Sequence, residues 1–375
     1  MTQDQSIQAV RAGGIAAVPR GARIGTALAT AALLLAACGA VGGSPAPTAG
    51  GSPAGGSPAA GSPGGGGGAN YPTGNITFVV PFDAGGPTDT VTRLIATPMG
   101  TELGTTIIIE NVPGAGGTVA AGQVADSPAD GYRVLMHHIG MSTAPTLYPD
   151  LDYDPLADFE TIGLVTEVPM AIVGRPEFPP TDLQGLIDYV GDPANTVTYA
   201  NAGRGAASHL CGLLFEEATD LDIVEVSYTG TAPAKTDLLG GHVDFMCDQT
   251  TNVSAEILAG SVKAYAVTTP ERVASLPEVP TTEEAGFGDI EVGVWHGLYV
   301  PAGTPDEIVT ALSDALKVAL QDQKVIDDLA KLGAAPVAQD QATPSALTAL
   351  LEEQIGLWAP ILEAAPSLPP PAPTT

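Results

Sequence analysis

The chain has 375 residues, 42 acidic side chains against 13 Lys and Arg, and a formal net charge of −29. Such a field repels phosphate backbones and excludes nucleic acid as a partner. An anion can then be held only by short-range groups, such as the amides and dipole of a helix N-terminus. The part with folding composition exceeds what one hydrophobic core usually serves, which predicts two lobes.

Arg11, Arg20 and Arg23 precede an apolar run over 24–37, which closes with Leu35-Ala36-Ala37-Cys38-Gly39. A basic segment, a short apolar stretch and small residues make a secretory signal over 1–37, not a spanning helix. The cysteine after the small residues resembles a bacterial lipobox, which makes Cys38 the acylated first residue of the mature chain. The other reading is an ordinary signal peptide that contains a cysteine. Residues 38–70 are almost entirely Gly, Ser, Pro, Ala and Thr, the composition of a flexible tether. Beyond the signal, no stretch approaches the roughly 20 apolar residues of a membrane span. The expected location is extracytoplasmic, lipid-anchored to the cell membrane.

Strands are expected at 76–80, 106–110, 133–137, 168–173, 197–200, 223–226, 243–247 and 263–267. Helical patterns at 208–219, 232–240 and 253–259 lie between them. This alternation reads as an α/β fold with mainly parallel sheets flanked by helices. The first strand runs through Pro81-Phe82-Asp83-Ala84-Gly85-Gly86-Pro87 into a helix. Strand, glycines and helix N-terminus in that order leave backbone N–H groups aimed at one spot, which suits a carboxylate or a phosphate. Pro98 is expected to end or kink that helix after Ala96. A second such loop follows about one domain later: Asn201-Ala202-Gly203-Arg204-Gly205-Ala206-Ala207-Ser208-His209. Two facing anion cradles make a clamp.

Further on, Thr304-Pro305-Asp306-Glu307 reads as a capping box with proline at the first helical position. The stripe Ile308, Leu312, Leu316, Leu320 follows it. Leu347, Leu350, Leu351, Ile355, Trp358 and Leu362 mark a last amphipathic helix, kinked near its end by Pro360. The proline-rich tail 366–375 is expected to be disordered.

Several side chains carry possible chemistry. Arg204 either pairs with a ligand carboxylate or is a solvated arginine at the rim of a cleft. Asp89 is expected to cap its helix, or to accept from an ammonium or hydroxyl on the ligand. His137 and His138 are strand neighbours facing opposite ways, so they cannot chelate one ion together, and one of them is expected to line the cleft. With His209, His242 and His296 they form no zinc spacing, and neither metal nor cofactor is expected. His209 is read as packing behind its loop. Trp295 is read as core or hinge packing, with stacking over an aromatic ligand the other use. Asp248 faces either the cleft or the hinge. Gly114-Ala115-Gly116-Gly117 lacks a dinucleotide fingerprint and reads as a turn with close helix–sheet packing. Cys211 and Cys247, an even pair in an oxidising compartment, read as one disulfide, two free buried thiols being the alternative. No nucleophile elbow or paired-carboxylate signature occurs, so an ester hydrolase is the weakest reading.

The ordered set of motifs resembles the Bug (TctC-type) extracytoplasmic solute-binding proteins of the tripartite tricarboxylate transporter family. It comprises Val80-Pro81-Phe82-Asp83-Ala84-Gly85-Gly86, Glu110-Asn111-Val112-Pro113-Gly114-Ala115-Gly116-Gly117, Asp130-Gly131-Tyr132, the stretch from Gly203 to Leu210, Val226-Ser227-Tyr228-Thr229-Gly230-Thr231-Ala232-Pro233-Ala234, Asp237-Leu238-Leu239-Gly240-Gly241, Val279-Pro280-Thr281 and Pro301-Ala302-Gly303-Thr304-Pro305. The resemblance spans about residues 72–360. It implies a two-lobed, periplasmic-binding-protein-like flytrap, with lobe 1 at 72–172 plus 295–365 and lobe 2 at 173–294. It also implies that the loops at 82–89 and 201–208 close on the carboxylate of a small organic anion with the help of ordered water. The anion would be a di- or tricarboxylate, an amino-acid-like acid or an aromatic acid. The implied ligand set is Phe82, Gly85, Gly86, Thr88, Asp89, His138, Gly140, Asn201, Gly203, Arg204, Gly205, Ser208 and Asp248. Met136-His137-His138-Ile139-Gly140-Met141-Ser142 departs from the small, threonine-rich stretch usual there. The implied role is a monomeric receptor that is no enzyme and delivers its anion to transporter membrane subunits. The alternative is a ligand-sensing envelope protein for a signalling partner.

Overall fold

The computed structural model describes residues 71–364. The signal segment, Cys38, the tether and the tail at 366–375 lie outside the described residues. In chain order, β1 (Ile76–Val80), α1 (Pro87–Leu103), β2 (Ile107–Asn111), α2 (Thr118–Ala125) and β3 (Arg133–His138) form a parallel set with its crossover helices. Helix α3 (Gly140–Leu147) leads to β4 (Phe159–Gly174) and α4 (Leu183–Gly191). A second parallel set follows: β5 (Thr198–Asn201), α5 (Ala207–Thr219), β6 (Val224–Ser227), α6 (Thr231–Leu239) and β7 (Phe245–Gln249), then α7 (Thr250–Ala259) and β8 (Lys263–Val267). The chain returns through β9 (Gly293–Pro301) and finishes with α8 (Asp306–Gln321), α9 (Gln323–Lys331), β10 (Ala335–Pro336) and α10 (Pro344–Ala364).

The strand order is β2-β1-β3-β9-β4-β7-β5-β6, with β8 and β10 also paired to β4. The two outer sets are parallel, and the middle is antiparallel. Strand β4 pairs β9 from Phe159 to Pro169, then leaves it and pairs β7 and β8 from Met170 onward, so one strand belongs to both halves of the fold. The expected strand at 168–173 is the C-terminal part of this 16-residue element. Strand β9 is an addition to the sequence reading. It is buried on both faces, so its hydrophobic pattern has no alternation to detect.

Neither proline ends its helix. Helix α1 runs through Pro98 to Leu103, and α10 runs through Pro360 to Ala364. In α1 the buried face Val91, Ile95, Met99 shares a core with Ile76, Phe78, Leu312 and Leu316, and that packing outweighs one lost backbone bond. The capping box at α8 does not form: the Thr304 hydroxyl donates to the Pro301 carbonyl at 2.7 Å, and Pro305 occupies the cap position. Asp306 and Glu307 still place negative charge in the first turn, where the helix dipole favours it. The second half has its own core, in which Ala171, Val173, Ala200 and Met246 pack on Ala234 and Leu238 of α6. A disulfide joins Cys211 of α5 to Cys247 of β7, with Cα atoms 6.2 Å apart.

Candidate functional site

The parallel strands end where helices begin, so β1, β5 and β6 present the N-termini of α1, α5 and α6. In the loop after β1, Gly85 has φ 81°, a conformation that glycine adopts without penalty. Its N–H donates to Asp89 Oδ2 at 2.8 Å, and the Gly86 N–H donates to the Asp83 carbonyl at 3.3 Å. The glycine amides that the sequence assigns to the anion are thus spent inside the loop. Asp89 is buried and takes four donors: Gly85 N–H, Asn111 Nδ2 at 3.1 Å, and Arg93 Nε and Nη2 at 2.8 and 2.9 Å. Burial alone would raise its pKa. The bonds from Arg93, Gly85 and Asn111 outweigh burial and hold the carboxyl below its ordinary range. Asp89 therefore braces the loop and has no room for a ligand donor. Among the described residues, the N–H groups of Thr88 and Asp89 themselves, at the open end of α1 behind Pro87, meet no acceptor.

The second loop repeats this plan. Gly203 and Gly205 have φ 95° and 80°. Gly203 N–H donates to Asn201 Oδ1 at 2.9 Å, Ala202 N–H to Ser208 Oγ at 2.8 Å and Gly205 N–H to His209 Nδ1 at 3.2 Å. Asn201, Ser208 and His209 thus shape the loop from within. Burial first and the nearby Arg204 charge second push the His209 pKa down to about 4. Among the described residues, the N–H groups of Arg204, Ala207 and Ser208 meet no acceptor. The Arg204 side chain differs from every other described arginine. Arg93, Arg133, Arg175 and Arg272 each pair with an Asp or Glu, whereas no carboxylate lies within ion-pair distance of Arg204 and its buried Nε has no partner.

The two loops meet. Phe82 packs on Ala202 and Ala206, and the Thr229 hydroxyl donates to Asp83 Oδ2 at 2.6 Å. Tyr148 OH donates to the Arg204 carbonyl at 2.8 Å, and Thr143 Oγ1 to the Gly205 carbonyl at 3.1 Å. Gly116, expected to serve a turn and helix–sheet packing, comes so close to the second loop that a Cβ there would lie 1.9 Å from the Arg204 carbonyl oxygen. No sequence signal separates that use from an ordinary turn.

Histidines line this junction in an arrangement the strand rule does not give. The rings of His137 and His138 are 5.1 Å apart and nearly perpendicular, not on opposite faces. His138 is the last residue of β3, and the chain turns helical at Ile139, so alternation has already stopped. The His138 ring stacks on Phe82 at 4.7 Å and meets His296 edge-on at 5.8 Å. His137 Nδ1 accepts from His138 N–H at 2.8 Å, and His138 Nδ1 accepts from Gly140 N–H at 3.0 Å. Each neutral ring must then carry its proton on Nε2. Burial drives all three pKa values down, His137 to about 4, His296 to about 3 and His138 well below the ordinary value. His296 Nε2 lies 3.3 Å from Thr88 Oγ1, while its buried Nδ1 has no partner. Gly140 N–H, like those of the two glycine loops, is occupied by a neighbouring side chain.

Asp248 and Trp295 lie in the interior. Asp248 is fully buried and accepts from Gln249 N–H at 2.8 Å and from Asn252 Nδ2. Burial raises its pKa to about 6, against the pull of Asn252, Gln249, Thr231 and Lys235. It ties the starts of α6 and α7 together. Trp295 belongs to the main apolar core, as the packing reading expects. Among the described residues, no cluster of three His, Cys, Asp or Glu is placed to hold a metal, and no helix is long and apolar enough to cross a membrane.

The site therefore offers neutral donors, two helix dipoles and one unpaired guanidinium, which together favour a small anion. A family model described as "Tripartite tricarboxylate transporter family receptor" matches residues 91–366. A protein of Agrobacterium vitis, named for its place in the TAR-I ttuE-ttuC' intergenic region, is 48% identical over 296 residues, covering 79% of this chain and 86% of its own. The periplasmic binding protein BugD superposes with a TM-score of 0.76 at 47% identity, covering 78% of this chain and 98% of its own. MatC of Rhodopseudomonas palustris, solved with bound malate, gives a TM-score of 0.76 at 41% identity, covering 78% of this chain and 100% of its own. These matches establish the two-domain periplasmic-binding-protein fold and place the folded part outside the cytoplasm. The chain belongs to the tripartite tricarboxylate transporter receptor family, a family of solute-binding receptors and not of enzymes.

Proposed function

We propose that this receptor holds a small organic carboxylate between the loops at 82–89 and 201–208, and passes it to membrane subunits of a transporter. The free N–H groups of Thr88 and Asp89 on one side, and of Ala207 and Ser208 on the other, take the carboxylate oxygens. Arg204 supplies the one formal positive charge, and the ring of His138, over Phe82, covers the far end of the ligand. The observation that carries the reading is Arg204 itself: in a chain with 42 acidic side chains, an arginine on the binding loop has no carboxylate partner. The malate bound by MatC makes a four-carbon dicarboxylate the first candidate. Cys38 as a lipid anchor, the tether at 38–70 and action as a monomer complete the reading.

The test is a thermal-shift screen of the folded part against malate, other di- and tricarboxylates, aromatic acids and the matching amides. A ligand that binds the native state alone raises the midpoint by mass action. Malate or another acid is expected to raise it while its amide does not, and Arg204→Met is expected to weaken that acid about tenfold or more. Since Arg204 has no partner to lose, the same variant should leave the midpoint of the free protein unchanged. A response equal for acid and amide removes the carboxylate reading.

A further inference from the structure

Behind the second loop stands a carboxyl group that the ligand site does not use. Glu225 lies on β6, opposite Tyr199 of β5 in the parallel register. Its Oε1 is buried without a hydrogen-bond partner, 3.9 Å from Nε2 of His209. The Asn201 side chain also faces it, with a buried and unbonded Nδ2. These two neighbours are the side chains that brace the loop, through Gly203 N–H on Asn201 Oδ1 and Gly205 N–H on His209 Nδ1. With Nδ1 occupied by a donor, the neutral His209 ring carries its proton on Nε2, the nitrogen turned to Glu225. One carboxyl group thus looks at the free ends of both braces.

We propose that Glu225 is a proton-linked positioning residue: when an anion reaches the N-terminus of α5, the Glu225–His209 pair takes up a proton from solvent, which removes the negative charge behind the anion. This rests on the reading that the loop at 201–208 holds the carboxylate. The charged and titratable groups around Glu225 are His209 and Glu216 of α5 and Tyr199 of β5, with Arg204 facing His209 from the loop. Burial first, then the Glu216 charge, lift the Glu225 pKa to about 7 against the pull of Asn201. In the free protein the carboxyl group is therefore partly ionised near neutrality. Negative charge arriving at the end of α5 favours the protonated form of both Glu225 and His209, so binding draws a proton in. The sign follows: affinity rises as pH falls from about 8 to about 6, a range in which malate is already a dianion.

Calorimetric titration with malate, in two buffers of different ionisation enthalpy, counts the protons taken up. Uptake of a fraction of one proton is expected near pH 7.5, with affinity about three- to tenfold higher at pH 6 than at pH 8.5, since one unit of pKa shift is tenfold. Glu225→Gln keeps the side-chain length and acceptor but cannot titrate, so its uptake falls to zero and its pH profile flattens at the acid-side affinity. Glu225→Ala removes the acceptor and is expected to bind more weakly at every pH. Binding by the parent protein without proton uptake, which needs no variant to measure, overturns the proposal, and so does unchanged uptake in Glu225→Gln. Failure of malate and of every acid in the screen to bind at any pH overturns the receptor reading beneath it.

Discussion

Asp89 and Arg204 illustrate how burial and pairing divide labour among single residues. Asp89 meets every donor around it and so can only hold shape. Its folded pKa lies below the ordinary carboxylate value, so its contribution to stability is complete above that value and is lost as pH falls through the folded one. Asp89→Asn should lower stability by about 1–3 kcal/mol at neutral pH, from charge-assisted bonds lost to Gly85 and Arg93. Acid denaturation followed by circular dichroism checks this, and the gap between variant and parent should close as pH falls below the ordinary carboxylate range. A gap that persists there means the amide fits the loop badly, not that charge matters. Arg204 is the converse, a residue that the free protein hardly uses.

At the scale of elements, the site is made by strand ends, helix starts and the glycines between them. The glycines were legible because a left-handed turn leaves few other choices of residue. Which amides stay free was not legible. That depends on whether Asp89, Asn201, Ser208 and His209 reach back to the loop, and nothing in sequence spacing decides it. Gly116 and Gly85 make the contrast testable. Both have positive φ, but a Cβ at Gly85 meets nothing within 4 Å, while one at Gly116 strikes the Arg204 carbonyl. Gly85→Ala should therefore reduce stability by about 1 kcal/mol through backbone strain alone. Gly116→Ala should also keep the loops apart, with a larger radius of gyration in small-angle scattering and at least about tenfold weaker acid binding. Equal behaviour of the two variants would show that loop approach plays no part.

For the whole molecule, two halves were expected from the size of the folded part, and the alternation of strand and helix marked the α/β class, because crossover units leave that trace. The middle was legible only at 168–173. The rest of β4, which reaches into both halves, and β9, which is covered on both faces, lack the alternation that marks a strand half-exposed to water. The loops are joined through Asp83 to Thr229, Phe82 to Ala202 and Ala206, and Tyr148 to Arg204. On the proposed reading, an acid enters or leaves the space between them only while those contacts are parted. In stopped-flow fluorescence with malate, the observed rate should level off at high concentration instead of rising in proportion to it. A strictly linear rise would mean that the cleft stands open. An acid held there leaves only when the protein gapes, and the grip of the amides lengthens its stay by making the loaded protein gape more rarely.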